Sequence, residues 1–135
     1  MSGGAVRARA KPVHACRKCG GMAGMNASTG DECRSCGGRI ERFDSMAELR
    51  RWNELLLLEK AGEISRLERQ VCINLIADGG VKVCDYIADH RYLEDGTIVI
   101  EDVKGGAITD VSKLKIKFLK AMWSGPGREV RIINR

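Results

Sequence analysis

The chain has 135 residues, 44% apolar and 4% aromatic, with a formal net charge of +5. That length suits one compact domain plus a small module, and no apolar run reaches the roughly 18 residues a membrane span needs. Few aromatics argue against single-strand binding carried mainly by base stacking. The start, Met1 to Arg7, has no apolar signal core, so the chain reads as cytoplasmic. Its six cysteines are then expected as thiols or metal ligands rather than disulfides.

Residues 1–12 are small and basic and read as a flexible arm carrying Arg7 and Arg9. Residues 13–39 hold four cysteines and many glycines, with almost no apolar periodicity. Cys16-Arg17-Lys18-Cys19-Gly20 and Cys33-Arg34-Ser35-Cys36-Gly37 are two CxxC knuckles separated by thirteen residues. Each presents two thiolates on a tight turn, and four thiolates complete a closed tetrahedral Zn²⁺ site. An iron–sulfur centre or a redox pair are the alternatives, and the flanking residues support neither. His14 reads as a bystander, and the lone Cys72 and Cys84 as small core residues. Residues 1–39 carry seven basic groups against two acidic ones, while residues 40–135 carry 16 of each. The whole excess lies in the arm and the cysteine module. Arg7, Arg9, Arg17, Lys18 and Arg34 are therefore expected to meet a polyanion such as DNA. The plainer alternative is a solvated tail, and a ribbon can equally face a protein.

From Phe43 the character changes, and residues 40–135 read as one α/β domain. Ser45-Met46-Ala47-Glu48 has the form of a capping box, opening a helix to about Lys60 with Gly62 as its stop. Leu49, Trp52, Leu56 and Glu59 share one stripe of that helix. Leu67 to Ile76 reads as a strand with Leu67, Val71, Ile73 and Leu75 on one face. Asp78-Gly79-Gly80 is a turn, and Val81 to Leu93 and Thr97 to Lys104 are the next strands. Thr109 or Asp110 caps a helix to about Trp123, and Glu129 to Asn134 is the last strand. Lys113, Lys117 and Lys120 form one stripe of that helix, with Lys115 beside it. They are either a solvated face or a track for a phosphate backbone.

Asp95-Gly96 between two β-rich runs is a two-residue hairpin signal. If Glu94 faces Thr97, facing pairs sum to 191, which sets Asp89 opposite Asp102 and His90 opposite Glu101. Facing residues point to one side of a sheet, with Cβ atoms roughly 4.5–5.5 Å apart. Lys104, two residues beyond Asp102, shares that face. Like charges directly opposite destabilise a sheet, so a hard cation is the expected reason for facing carboxylates. Asp89, Asp102 and the Val103 carbonyl make a plausible oxygen set for Mg²⁺ or Mn²⁺, with Lys104 free to touch the attacking water or the phosphate. The alternative is a solvated hairpin in which Lys104 simply pairs with Asp102.

The helix with Glu48, the strand with Asp89 and the run Asp102-Val103-Lys104 are together similar to the PD-(D/E)xK nuclease superfamily. Phe43-Asp44-Ser45 with Glu48, Leu58 to Ile64, Tyr86 to Asp89, and Glu101 to Gly105 resemble a family of small phage and prophage proteins within it. The resemblance covers about residues 40–135 and leaves the cysteine module outside. It implies a mixed central sheet flanked by helices, a restriction-endonuclease-like core, and Mg²⁺-dependent DNA cleavage. It also implies that Asp89 and Asp102 are the metal-binding acids and Lys104 the catalytic lysine. Ala88 stands where the superfamily often has proline. Glu48 matches a helix glutamate that some branches add to the metal site, but it is equally the third member of the capping box. Gln70 sits where related proteins often carry a glutamine.

The expectation is a phage-encoded DNA endonuclease acting on branched or junction DNA, in the manner of Holliday-junction resolvases. The alternatives are a restriction-like or nicking enzyme on duplex DNA, and a non-enzymatic zinc-ribbon adaptor for DNA or protein. A homodimer suits symmetric cutting of two strands, and a phage or host replication or recombination protein is a further expected partner.

Overall fold

The computed structural model describes residues 11–105, 108–123 and 125–134. Arg7 and Arg9, and nearly all of the expected arm, lie outside the described residues. Two compact units are present, residues 1–53 and 54–135.

In the first unit, strand β1 (Val13–Cys16) pairs antiparallel with β2 (Ile40–Phe43), Val13 opposite Phe43 and Cys16 opposite Ile40. The two knuckles hang from this ribbon. They repeat one another: Cys16 N donates to Gly21 O and Gly20 N to Cys16 O, while Cys33 N donates to Gly38 O and Gly37 N to Cys33 O. Gly20 and Gly37 both take φ +74°, a left-handed conformation that glycine adopts without steric cost. The sequence break expected at residue 40 thus falls inside a paired structure, because Ile40–Phe43 completes the ribbon.

Helix α1 (Met46–Lys60) begins in the first unit and ends in the second. Ser45 Oγ accepts from Glu48 N at 3.2 Å, and Glu48 Oε2 reaches back to Asp44 N at 3.0 Å, so a reciprocal cap forms as expected. Two side chains tie the middle of the helix to the first knuckle. Trp52 Nε1 donates to Arg17 O at 2.8 Å, and Asn53 Nδ2 to Gly20 O at 3.3 Å. The buried stripe runs Leu49, Trp52, Leu55; it keeps Leu49 and Trp52 of the expected one, but Leu56 is only half-buried and Glu59 is exposed. Gly62, at φ +81°, ends the helix: Glu63 N donates to Leu58 O and Gly62 N to Glu59 O, satisfying its last carbonyls.

In the second unit, β3 (Ser65–Ile76), β4 (Lys82–Glu94), β5 (Thr97–Lys104) and β6 (Arg128–Asn134) form one mixed sheet in that order. The β3–β4 and β4–β5 pairs are antiparallel and β5–β6 is parallel, joined through helix α2 (Asp110–Met122). Thr109 caps α2, its hydroxyl accepting from Ser112 N at 3.1 Å. The β4–β5 register is the one the hairpin signal predicts, from Glu94 opposite Thr97 to His90 opposite Glu101. Asp95 (φ +48°) and Gly96 (φ +76°) make a two-residue turn with both central residues left-handed.

The sheet does not keep one face to one core. Tyr86 and Ala88 pack with Ile100, Ile116 and Leu119, whereas Tyr92, of the same strand parity, packs with Leu55, Ile64 and Val99. The turnover coincides with Gln70, whose φ is +51°, and with a missing Gln70–Asp89 pair in a ladder whose register is constant from Glu68–Arg91 to Leu75–Cys84. A left-handed residue in an edge strand bends it and increases the local twist. Cys72 is exposed and Cys84 half-buried, so Cys72 is not the core residue the sequence suggested.

Candidate functional site

Each unit holds one candidate site. In the first unit the four sulfur atoms of Cys16, Cys19, Cys33 and Cys36 all lie within 4.8 Å of one another. This is the one group of three or more His, Cys, Asp or Glu among the described residues that is arranged to hold a metal ion. The Cys16–Cys36 sulfurs are 3.5 Å apart and the Cys19–Cys33 sulfurs 3.8 Å. Tetrahedral thiolates at roughly 2.3 Å from a zinc ion would be about 3.8 Å apart. Backbone N–H groups of Lys18, Gly21 and Gly38 point at the Cys16, Cys19 and Cys36 sulfurs at 3.3–3.4 Å. Backbone N–H groups of Cys36 and Ser35 lower the Cys33 thiol to about 7. Gly38 N–H also pulls Cys36 down, but the neighbouring thiols, Cys16 first, and burial outweigh it and push Cys36 up to about 11. Four thiolates this close cannot all ionise without a cation, and the ligand chemistry fits a soft or borderline ion. His14 is not part of the cluster.

The basic residues around the cluster differ. Lys18 and Arg34 are exposed at the knuckle tips, while Arg17 approaches Glu41 at 3.7 Å with half its side chain exposed. Lys113, Lys117 and Lys120 are exposed along α2 in the second unit, and Lys115 is half-buried.

The second site sits where β4 leaves β5. The paired ladder stops at His90–Glu101, one step short of the expected Asp89–Asp102 pair. There the two carboxylates replace the backbone ladder. Asp89 N donates to Asp102 Oδ1 at 2.9 Å, and Val103 N donates to Asp89 Oδ2 at 2.8 Å. The acids expected to face one another are therefore brought together, with Val103 between them. Lys104 Nζ lies 3.3 Å from Asp102 Oδ2, and the Asp102 side chain is only 4% exposed. Tyr86, which no sequence pattern marks as part of the site, donates a short hydrogen bond from its hydroxyl to Asp102 Oδ2. Burial first, and then that bond, raise the Tyr86 pKa, so it stays a neutral donor. Strand alternation alone sets Tyr86 on the face away from Asp89, and only the turnover near Gln70 brings its hydroxyl to Asp102.

On the other side of β5, Glu101 and His90 are both fully buried. His90 Nδ1 lies 3.0 Å from Glu101 Oε2, and Tyr92 OH donates to Glu101 Oε1 at 2.7 Å. Arg131 Nη1 donates in turn to Tyr92 OH at 3.0 Å. This network contains the His90–Glu101 pair expected from the register, extended by Tyr92 and Arg131. Glu48 belongs to the first unit, where its carboxylate serves the helix cap.

The family model described as "Protein of unknown function (DUF1064)" matches residues 38–131. No curated protein and no solved structure matches the chain. The matched span contains Asp89, Asp102 and Lys104 and excludes all four clustered cysteines. The chain belongs to the DUF1064 family, with a four-cysteine module added before the family's matched region.

Proposed function

We propose that this chain is a metal-dependent DNA endonuclease of phage origin, with a Zn²⁺ ribbon that helps grip the DNA. The observation that carries the reading is the juxtaposition of Asp89, Asp102 and Lys104 at the end of the β4–β5 ladder. Support also comes from the order helix, three strands, helix, strand around a mixed sheet, the arrangement expected of a restriction-endonuclease-like core.

The donor set suits a hard cation: two carboxylates, each held by a backbone N–H, would hold Mg²⁺ or Mn²⁺ with the Val103 carbonyl and waters. Such an ion supplies charge neutralisation at the phosphate and an acidified water. Lys104, held at the site by its pairing with Asp102, would be placed to meet the attacking water or the phosphate. Tyr86 fixes the Asp102 carboxylate in orientation through its hydroxyl. In the ribbon, Cys16, Cys19, Cys33 and Cys36 would hold Zn²⁺ as a structural ion. Lys18 and Arg34, exposed at the knuckle tips, would meet phosphates, and Lys113, Lys117 and Lys120 offer a second basic track. Branched or junction DNA is the proposed substrate, and a homodimer fits paired nicks.

A second reading, a non-enzymatic zinc-ribbon adaptor for DNA or protein, draws on one observation. Both oxygens of Asp102 already have partners within the protein. A cleavage assay with Mg²⁺ on linear duplex, single-strand, flap and four-way-junction DNA separates the readings. Paired nicks at the junction support the first; cutting of plain duplex alone moves the assignment to a restriction-like or nicking enzyme. DNA binding without cutting of any substrate favours the adaptor.

A further inference from the structure

Resting on the DNA reading above, we propose that a groove on the second unit binds one unpaired nucleotide of the DNA substrate. The groove, about 500 Å³, is lined by Arg66, Glu68, Arg91, Leu93, Ile98 and Trp123 among others. Leu93 is four residues along β4 from Asp89, so the groove lies roughly 14 Å along the strand from the acids. It is a separate subsite within reach of the same DNA.

Its charges are arranged for an anion. Arg66 is exposed and makes no ion pair among the described residues. It also holds φ +54°, a left-handed conformation that disfavours any residue with a Cβ, and it sits where the β3–β4 register shifts between Ser65 and Glu68. Strain of this kind, on the order of 1 kcal/mol, persists where the surroundings hold the residue and is concentrated at binding sites. Arg91 is held in place by Glu68, which accepts from Nε at 2.7 Å and from Nη2 through the same oxygen. Its third nitrogen, Nη1, is left for a further acceptor. Two guanidinium groups, one fixed and one unpaired, suit a phosphate group.

The other wall is apolar and aromatic. Leu93 and Ile98 face each other across the β4–β5 hairpin, and Trp123 closes α2 beside them. Trp123 is half-buried and is steadied by the Arg128 guanidinium, 5.1 Å from its ring centroid. A planar base against this wall, with its phosphate at Arg66 and Arg91, uses both halves of the groove. A paired base cannot reach such a pocket, but an unpaired nucleotide at a branch point or strand end can. One pocket of this size takes one nucleotide, consistent with a chain otherwise poor in aromatics.

The test uses the full chain without added Mg²⁺, a short oligothymidylate and a blunt duplex. Only two tryptophans are present and Trp52 is 2% exposed, so Trp123 emission reports the groove, with Trp123→Phe as the control. The oligothymidylate should quench Trp123, and Arg66→Gly should weaken its binding on the order of 10-fold while leaving blunt-duplex binding little changed. Arg66→Gly relieves the left-handed strain, so loss of folding does not confuse the result. Unchanged Trp123 emission in a chain that cuts duplex DNA overturns the groove and leaves the nuclease reading standing. Quenching that depends on Arg66, in a chain that cuts nothing, supports the groove and removes the nuclease reading. Equal binding of a polyglutamate peptide, equally sensitive to Arg66→Gly, overturns the nucleotide assignment.

Discussion

Gly20 and Gly37 close the two knuckles with the same φ of +74°, yet alanine at the two positions should not cost the same. The shared cost of placing a Cβ in the left-handed region is about 1–2 kcal/mol. At Gly37 the new Cβ meets only the end of the flexible Glu32 side chain, at 3.3 Å. At Gly20 it falls 1.8 Å from Asn53 Oδ1 and 2.6 Å from Asn53 Cγ, so Asn53 must leave. Its hydrogen bond from Nδ2 to Gly20 O, at 3.3 Å, goes with it. A lost hydrogen bond of this kind costs about 0.5–1.5 kcal/mol, and repacking around Asn53 adds to it. Gly20→Ala should therefore be worse than Gly37→Ala by about 1–2 kcal/mol. Because a metal module's folding and its metal affinity are one equilibrium, that difference appears as roughly 5–30-fold in apparent zinc affinity. Competition with a chromophoric chelator measures it in both variants side by side. Equal losses would refute the claim that the first knuckle is docked on the helix through Asn53.

Tyr86→Phe removes the hydroxyl from Asp102, which should lower stability by about 1.5–3 kcal/mol in urea unfolding and reduce the Mg²⁺ needed for half-maximal cleavage, because Asp102 Oδ2 loses one of its two partners and keeps only Lys104. Replacing Arg17, Lys18 and Arg34 together by serine should make the salt dependence of DNA binding shallower, by a slope of up to about 3, read by anisotropy across a salt series. Zinc uptake should depend on pH in one direction: Cys36, pushed up to about 11, must give up its proton on binding, and Cys33, near 7, joins it below neutrality. Apparent zinc affinity therefore falls as pH drops and falls more steeply below about pH 7, with proton release measurable by calorimetry in buffers of different ionisation heat.

Much of this was legible in the residues because it depends on short-range geometry. Asp95-Gly96 forces a two-residue turn, a two-residue turn fixes the register, and the register brings Asp89 to Asp102 and His90 to Glu101. CxxC spacing likewise gathers four sulfurs without reference to the rest of the chain. Ser45 with Glu48, Gly62, and Thr109 mark helix ends by local hydrogen bonding. What escaped depends on departures from regular alternation. Gln70 carries no sequence mark of its left-handed backbone, yet the twist there sends Tyr86 and Tyr92 to different cores and delivers the Tyr86 hydroxyl to Asp102. The pairing of Ile40–Phe43 with Val13–Cys16 is a contact between segments more than twenty residues apart, with no local signal to announce it.

The central claim, that Asp89 and Asp102 form a nuclease metal centre, is tested most directly by comparing the unaltered chain with Asp89→Asn and Asp102→Asn in Mg²⁺-dependent cleavage of a four-way junction. Both variants keep an oxygen able to accept the backbone N–H bonds seen here, so both should fold and still bind the junction. Cleavage should disappear in each, and chelation of Mg²⁺ should abolish it in the unaltered chain. Cutting at near-normal rate by either folded variant would contradict the account.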